Sequence, residues 1–154
     1  MIVVVRHETK HRRTLRDLAA APAKIAIVLV LLAICCIATS AIDVSDGLLG
    51  DLGHILRRSG VAAEVSVDAV PRSAVLAAQP LALQRECTLA GGDDYELLFS
   101  APAERAPQVQ AAAQAAGTAV TRIGRIEAGQ GLRLVDGDGH AVAHTFGSFD
   151  HFRS

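Results

Sequence analysis

Two carboxylates and a hydroxyl stand within four positions at Asp43-Val44-Ser45-Asp46, with Gly47 and Leu48 directly after them. Oxygen donors of this kind suit a hard divalent cation such as Mg²⁺, which usually takes one or two carboxylates together with substrate phosphates. Gly47 lets backbone come close to a ligand. A helix opening near it would offer unpaired N–H groups and a positive dipole end to a phosphate. Spacing alone leaves a second reading open, in which Asp46 only caps the helix and Asp43 is a solvated strand residue.

A second acidic stretch is Gly91-Gly92-Asp93-Asp94, followed by Tyr95-Glu96-Leu97-Leu98-Phe99. It reads either as an acidic turn that meets a cationic substrate or metal, or as an ordinary turn with Asp94 bonded to its own loop. Asp136-Gly137-Asp138-Gly139 shares part of a calcium-loop pattern but lacks the later Glu, so it is read as a hairpin turn. His151 beside Asp150 has no nucleophile near it in sequence and is read as structural, and His54 as an outer-face helix residue. A Walker loop, a Gly-x-Ser-x-Gly elbow and a Cys-x-x-Cys pair are all missing from the sequence.

The elements that must hold these residues alternate between strand and helix. Residues 41–45 read as a short strand. Leu48, Leu49, Leu52, Ile55 and Leu56 then fall on one face of a helix, with Asp51 in its early turns, Arg57 and Arg58 in its last turn and Gly60 as its stop. Residues 63–68 alternate as a strand. Residues 73–78, opened by a Ser73 cap, and 81–85 read as short helical pieces split by Pro80. Residues 95–100 read as an apolar strand, and 103–116 as a helix stopped by Gly117. Residues 118–126 form a further strand, and 132–135 with 141–143 a hairpin. The class is α/β or α+β, in one compact domain over 41–154.

The first forty residues read differently. They carry six basic residues against two acids, whereas residues 41–154 carry nine arginines against fourteen acids. Residues 25–38 have no charge, and a crossing of a bilayer needs about 20 apolar residues. Three readings stand for residues 1–40: a membrane anchor or signal using residues 25–41, a buried apolar helix or strand, or a non-native N-terminus. Aromatic residues make up only 3%, which argues against a base-stacking nucleic-acid binder. Cys35, Cys36 and Cys87 form neither a disulfide framework nor a zinc pattern, so a reduced compartment is expected.

Taken together, the motifs resemble the C-terminal half of the thiamine-monophosphate kinase family, in the superfamily similar to aminoimidazole-ribonucleotide synthetase. The resemblance rests on residues 41–48 with the following Asp51-Leu52-Gly53-His54-Ile55, on residues 91–99, on Gly124, and on Phe149-Asp150-His151-Phe152. It implies a mixed sheet with helices packed on it. It also implies ATP-dependent phosphorylation of thiamine monophosphate to the diphosphate, with Mg²⁺ as cofactor and no covalent catalytic residue. By resemblance Asp43 and Asp46 ligand Mg²⁺ and Ser45 contacts ATP. Asp93, often Glu in the family, and Phe149 meet the thiamine substrate. An acid and an aromatic ring suit a cationic thiazolium, and phosphoryl transfer needs positioning and charge neutralisation above all. The superfamily is typically dimeric, and a cytoplasmic location is implied.

The resemblance starts near Thr39. The family's N-terminal ATP-handling domain, with most of its metal-binding acids, has no counterpart in residues 1–38, so the chain reads as truncated or fused. Two alternatives stand beside this reading. One is another enzyme of the superfamily, a selenophosphate or purine-pathway synthetase. The other is a non-catalytic, membrane-tethered module that binds a ligand or partner chain.

Overall fold

The structure, a computed structural model, describes residues 1–6, 36–91 and 96–143. In chain order it contains β1 (Ile2–Arg6), β2 (Ser40–Val44), α1 (Leu48–Ser59) and β3 (Ala62–Ser66). After β3 come a 3₁₀ turn at Val67–Ala69, α2 (Ala74–Ala77), α3 (Leu81–Ala90) and β4 (Glu96–Ser100). A second 3₁₀ turn at Ala103–Arg105 leads into α4 (Ala106–Ala115), β5 (Ala119–Glu127) and β6 (Gly131–Val135).

The six strands form one sheet in the order β2-β4-β1-β5-β3-β6. The pair β3–β6 is parallel, and the other four pairs are antiparallel. This is the mixed sheet with helices upon it that the sequence led us to expect. Between β3 and β5 the backbones come so close that a Cβ on Gly124 would run into the carbonyl oxygen of Glu64. Gly124 is therefore a packing requirement.

The placement of β1 corrects the expected domain boundary at residue 41. Ile2–Arg6 lies inside the sheet, with Val4 opposite Leu98 on one side and Thr121 on the other. The physical reason lies in the residues. Ile2-Val3-Val4-Val5 is an unbroken β-branched run, which suits a strand covered on both faces. Ile2 and Val4 point into the core beneath α1, with Leu52, Leu98 and Ile123. Val3 points the other way, to Phe99 and Val109 of α4. Ile2, Val3 and Val4 are each at most 2% exposed.

Local signals set the ends of the helices. Gly60 ends α1 at φ 65, and its N–H donates to the Leu56 carbonyl. The Ser73 hydroxyl accepts the Leu76 N–H at 3.2 Å and opens α2. Helix α3 runs on to Ala90, past the expected stop at residue 85, because its only proline, Pro80, precedes it and Leu89 is buried against the core. The expected hairpin after β6 reduces to a single bridge between Val135 and Ala141. Among the described residues no helix is long and apolar enough to cross a membrane. Most of the apolar run at 25–38 lies outside the described residues.

Candidate functional site

The site starts at an edge. Among the described residues β2 is the last strand on its side of the sheet, and it runs antiparallel to β4, with Asp43 opposite Leu97 and Val44 opposite Glu96. The end of β2 therefore lies beside the start of β4. The two acidic motifs of the sequence adjoin these two strand ends, one just after β2 and one just before β4. Val44 is buried and anchors the strand end, while Asp43 and Ser45 are exposed and Asp46 is half-buried.

Beyond Asp46 the chain turns sharply at Gly47, which has φ 101 and ψ 146. That conformation is open to glycine and strained for other residues. A Cβ on Gly47 would lie 3.0 Å from the carbonyl oxygen of Ala90, the last residue of α3. The first acidic loop is thus in contact with the helix end that leads to Gly91 and the second. Asp93, Asp94 and Tyr95 follow Gly91 in sequence but lie outside the described residues, as does the closing motif with Phe149.

The expected capping role of Asp46 is not seen. The N-cap of α1 is Gly47, with no side-chain cap bond. A capping oxygen has to reach the second or third N–H of the helix from the N-cap position itself, and Asp46 stands one residue too early. The carboxylate that ties down this turn belongs to Asp51. Its Oδ2 accepts the N–H of Ser45 at 2.9 Å and the N–H of Asp46 at 3.2 Å. Asp51 is only 3% exposed. Sequence reasoning placed Asp51 in the early turns and assigned it no partner. The available signal was an acid one residue beyond capping-box spacing from the N-cap, reaching backwards to amides before the helix.

The donor set of this loop is all oxygen, and Asp43 and Ser45 open to solvent at a strand end, which fits a hard cation. Among the described residues no third His, Cys, Asp or Glu closes a cluster around Asp43 and Asp46. The three-residue cluster that does form is Asp136, Asp138 and His140, with ligand atoms within 4.8 Å of one another. It lies after β6, at the opposite edge of the sheet. Its geometry is that of a turn, as the sequence suggested. Asp136 Oδ1 accepts the N–H groups of Asp138 and His140 at 3.0 and 2.9 Å, and the His140 N–H above all holds this carboxyl below the ordinary aspartate range. His54 is exposed, with its Nδ1 3.1 Å from Arg57.

The family model described as AIR synthase related protein, C-terminal domain, matches residues 2–137. The chain belongs to this family. The match begins at residue 2 and so takes in β1. Within the AIR synthase related family the chain is similar to thiamine-monophosphate kinases. It is 41% identical over 118 residues to that of Salmonella typhimurium, covering 75% of this chain and 36% of the relative. It is 40% identical over 121 residues to that of Haemophilus influenzae, covering 76% and 37%. The crystal structure of the thiamine-monophosphate kinase of Stenotrophomonas maltophilia superposes with a TM-score of 0.68 at 32% identity, over 92% of this chain and 50% of that one. AaThiL complexed with AMPPCP and TMP superposes at 0.63 and 26% identity, over 97% and 50%. PurL of Thermotoga maritima complexed with ATP, at 14% identity and a TM-score of 0.64, shares the fold. The chain spans little more than a third of the length of the curated relatives it matches.

Proposed function

We propose that the chain forms the C-terminal part of a thiamine-monophosphate kinase site. Asp43 and Asp46 would hold Mg²⁺ and Ser45 would contact ATP, while Asp93 and Phe149 would take thiamine monophosphate. The observation that carries this reading is the contact of Gly47 with Ala90, which sets the Asp43–Asp46 loop against the end of the helix leading to Asp93. The relatives named above support it, as does the complex of AaThiL with an ATP analogue and TMP. A bound Mg²⁺ would neutralise phosphate charge during phosphoryl transfer. The residues of this chain bind and orient. Two carboxylates at the end of an edge strand fix the cation side, and the hydroxyl of Ser45 between them offers a donor to a phosphate oxygen. No side chain here has to act as a nucleophile, because the acceptor phosphate supplies one.

Calorimetric titration of the purified chain with Mg²⁺–ATP tests the reading. The chain should bind. Asp43→Asn and Asp46→Asn should each weaken binding about tenfold or more, the scale of losing one charge-assisted contact of about 1.5 kcal/mol. A chain that binds no Mg²⁺–ATP, or variants that bind as well as the parent, would overturn it. Thiamine diphosphate formation in the same preparation shows whether this segment suffices for turnover.

A further inference from the structure

We propose that Asp51 is the positioning residue of the candidate nucleotide loop: a buried carboxylate that holds Ser45 and Asp46 in place without touching ligand. This inference rests on the functional reading given above. Asp51 is 3% exposed, and among the described residues the buried side chains are otherwise nearly all apolar. A carboxylate in such a place is costly unless its oxygens are hydrogen-bonded. One oxygen accepts two backbone N–H groups, those of Ser45 at 2.9 Å and Asp46 at 3.2 Å. Both donors belong to residues that also carry the loop's candidate ligand groups. With their amides drawn inward toward Asp51, the Ser45–Asp46 segment is pinned as it leaves β2.

The anchor itself is rigid. The N–H of Asp51 donates to the Gly47 carbonyl at 3.1 Å, the first turn of α1. Its helix neighbours Leu48, Leu49 and Leu52 are buried in the main core. The loop is thus fixed to a packed helix through one side chain, and its ligand groups are placed before any ligand arrives. Pre-ordering of this kind is how partners one step removed from a metal tune affinity, typically by about 10- to 100-fold.

The test uses the full chain with Asp51→Ala and Asp51→Asn. The side-chain oxygen of asparagine can still accept both N–H groups, and alanine accepts neither. Amide hydrogen exchange at Ser45 and Asp46 is the direct readout. Both amides should be protected in the parent, lose protection in Asp51→Ala and largely regain it in Asp51→Asn. Mg²⁺–ATP affinity should follow the same order, with Asp51→Ala weaker by about tenfold or more and Asp51→Asn close to the parent. If Asp51→Ala does not fold, Asp51→Asn still decides. An asparagine variant that keeps both amides protected yet binds as poorly as Asp43→Asn would mean that Asp51 is itself a ligand, and would overturn the proposal. So would amides that exchange freely in the parent. A parent chain with protected amides and no affinity for Mg²⁺–ATP would overturn the nucleotide reading of the loop and leave the amide anchor standing.

Discussion

At the scale of residues, the loop after β2 depends on one glycine and one buried acid. Gly47 meets two constraints at once, a φ of 101 and a neighbouring carbonyl 3.0 Å from where a Cβ would lie. Gly47→Ala is therefore expected to destabilise the chain by about 1–3 kcal/mol from the backbone conformation alone, with more if Ala90 cannot shift. Urea denaturation checks this, and a loss under about 0.5 kcal/mol would count against the geometry, since ordinary surface changes fall within that range. Asp43 and Asp46 stood out as candidates by their types and spacing, because ligand chemistry is local. The role of Asp51 did not. Its partners are backbone N–H groups, and the one signal for them was its spacing from the N-cap, one residue beyond that of a capping box.

At the scale of elements, β1 carries the main lesson. Its residues have the composition of a doubly covered strand, yet five residues before a basic stretch gave no reason to join them to a domain that seemed to start forty residues later. Only the pairing of β1 with β4 and β5 shows that it lies inside the sheet. Ile2→Ala should therefore cost about 2–5 kcal/mol, the range for a large aliphatic side chain lost from a packed core. Thermal and urea unfolding measure it. A variant as stable as the parent would place Ile2 outside the core. Helix α1 was the opposite case. Its leucine spacing, final arginines and Gly60 stop were all readable, because a helix is built from contacts three and four residues apart.

At the scale of the whole molecule, Asp68 joins three separate segments. It lies in the turn after β3 and pairs with Arg72 at 3.1 Å and with Arg85 of α3 at 2.7 Å. It also accepts the N–H of Gly137 at 3.1 Å, from the loop after β6. The Arg85 hydrogen bond foremost, against the cost of burial, brings its carboxyl from 3.8 down to about 2. A depressed folded pKa contributes stability that is complete above the unfolded value and is lost as pH falls toward the folded one. The stability difference between the parent and Asp68→Asn should therefore be steady at neutral pH and shrink between about pH 4 and pH 2. Its size should be at most about 2 kcal/mol, and less because the Asp68 side chain is 26% exposed and partly screened. Urea denaturation at stepped pH checks the sign. A difference that grows on acidification would refute it.

The sequence by itself determined the local content of this protein. It placed the acidic motifs, most strands and helices and their stops, and it carried a resemblance specific enough to name a family. Each of these depends on residues close together in the chain. Tertiary structure alone decided which strands became neighbours. It inserted β1 between β4 and β5, set the end of β2 beside the start of β4, and thereby brought the Asp43–Asp46 loop to the helix end before Gly91. It also turned Asp51 inward to two amides. The first three share one physical reason, whereas the Asp51 bonds span only five and six residues and follow from its burial at the start of α1. Sheet pairing and burial are long-range, set by which apolar faces can cover one another, and one sequence does not state which partners will be found.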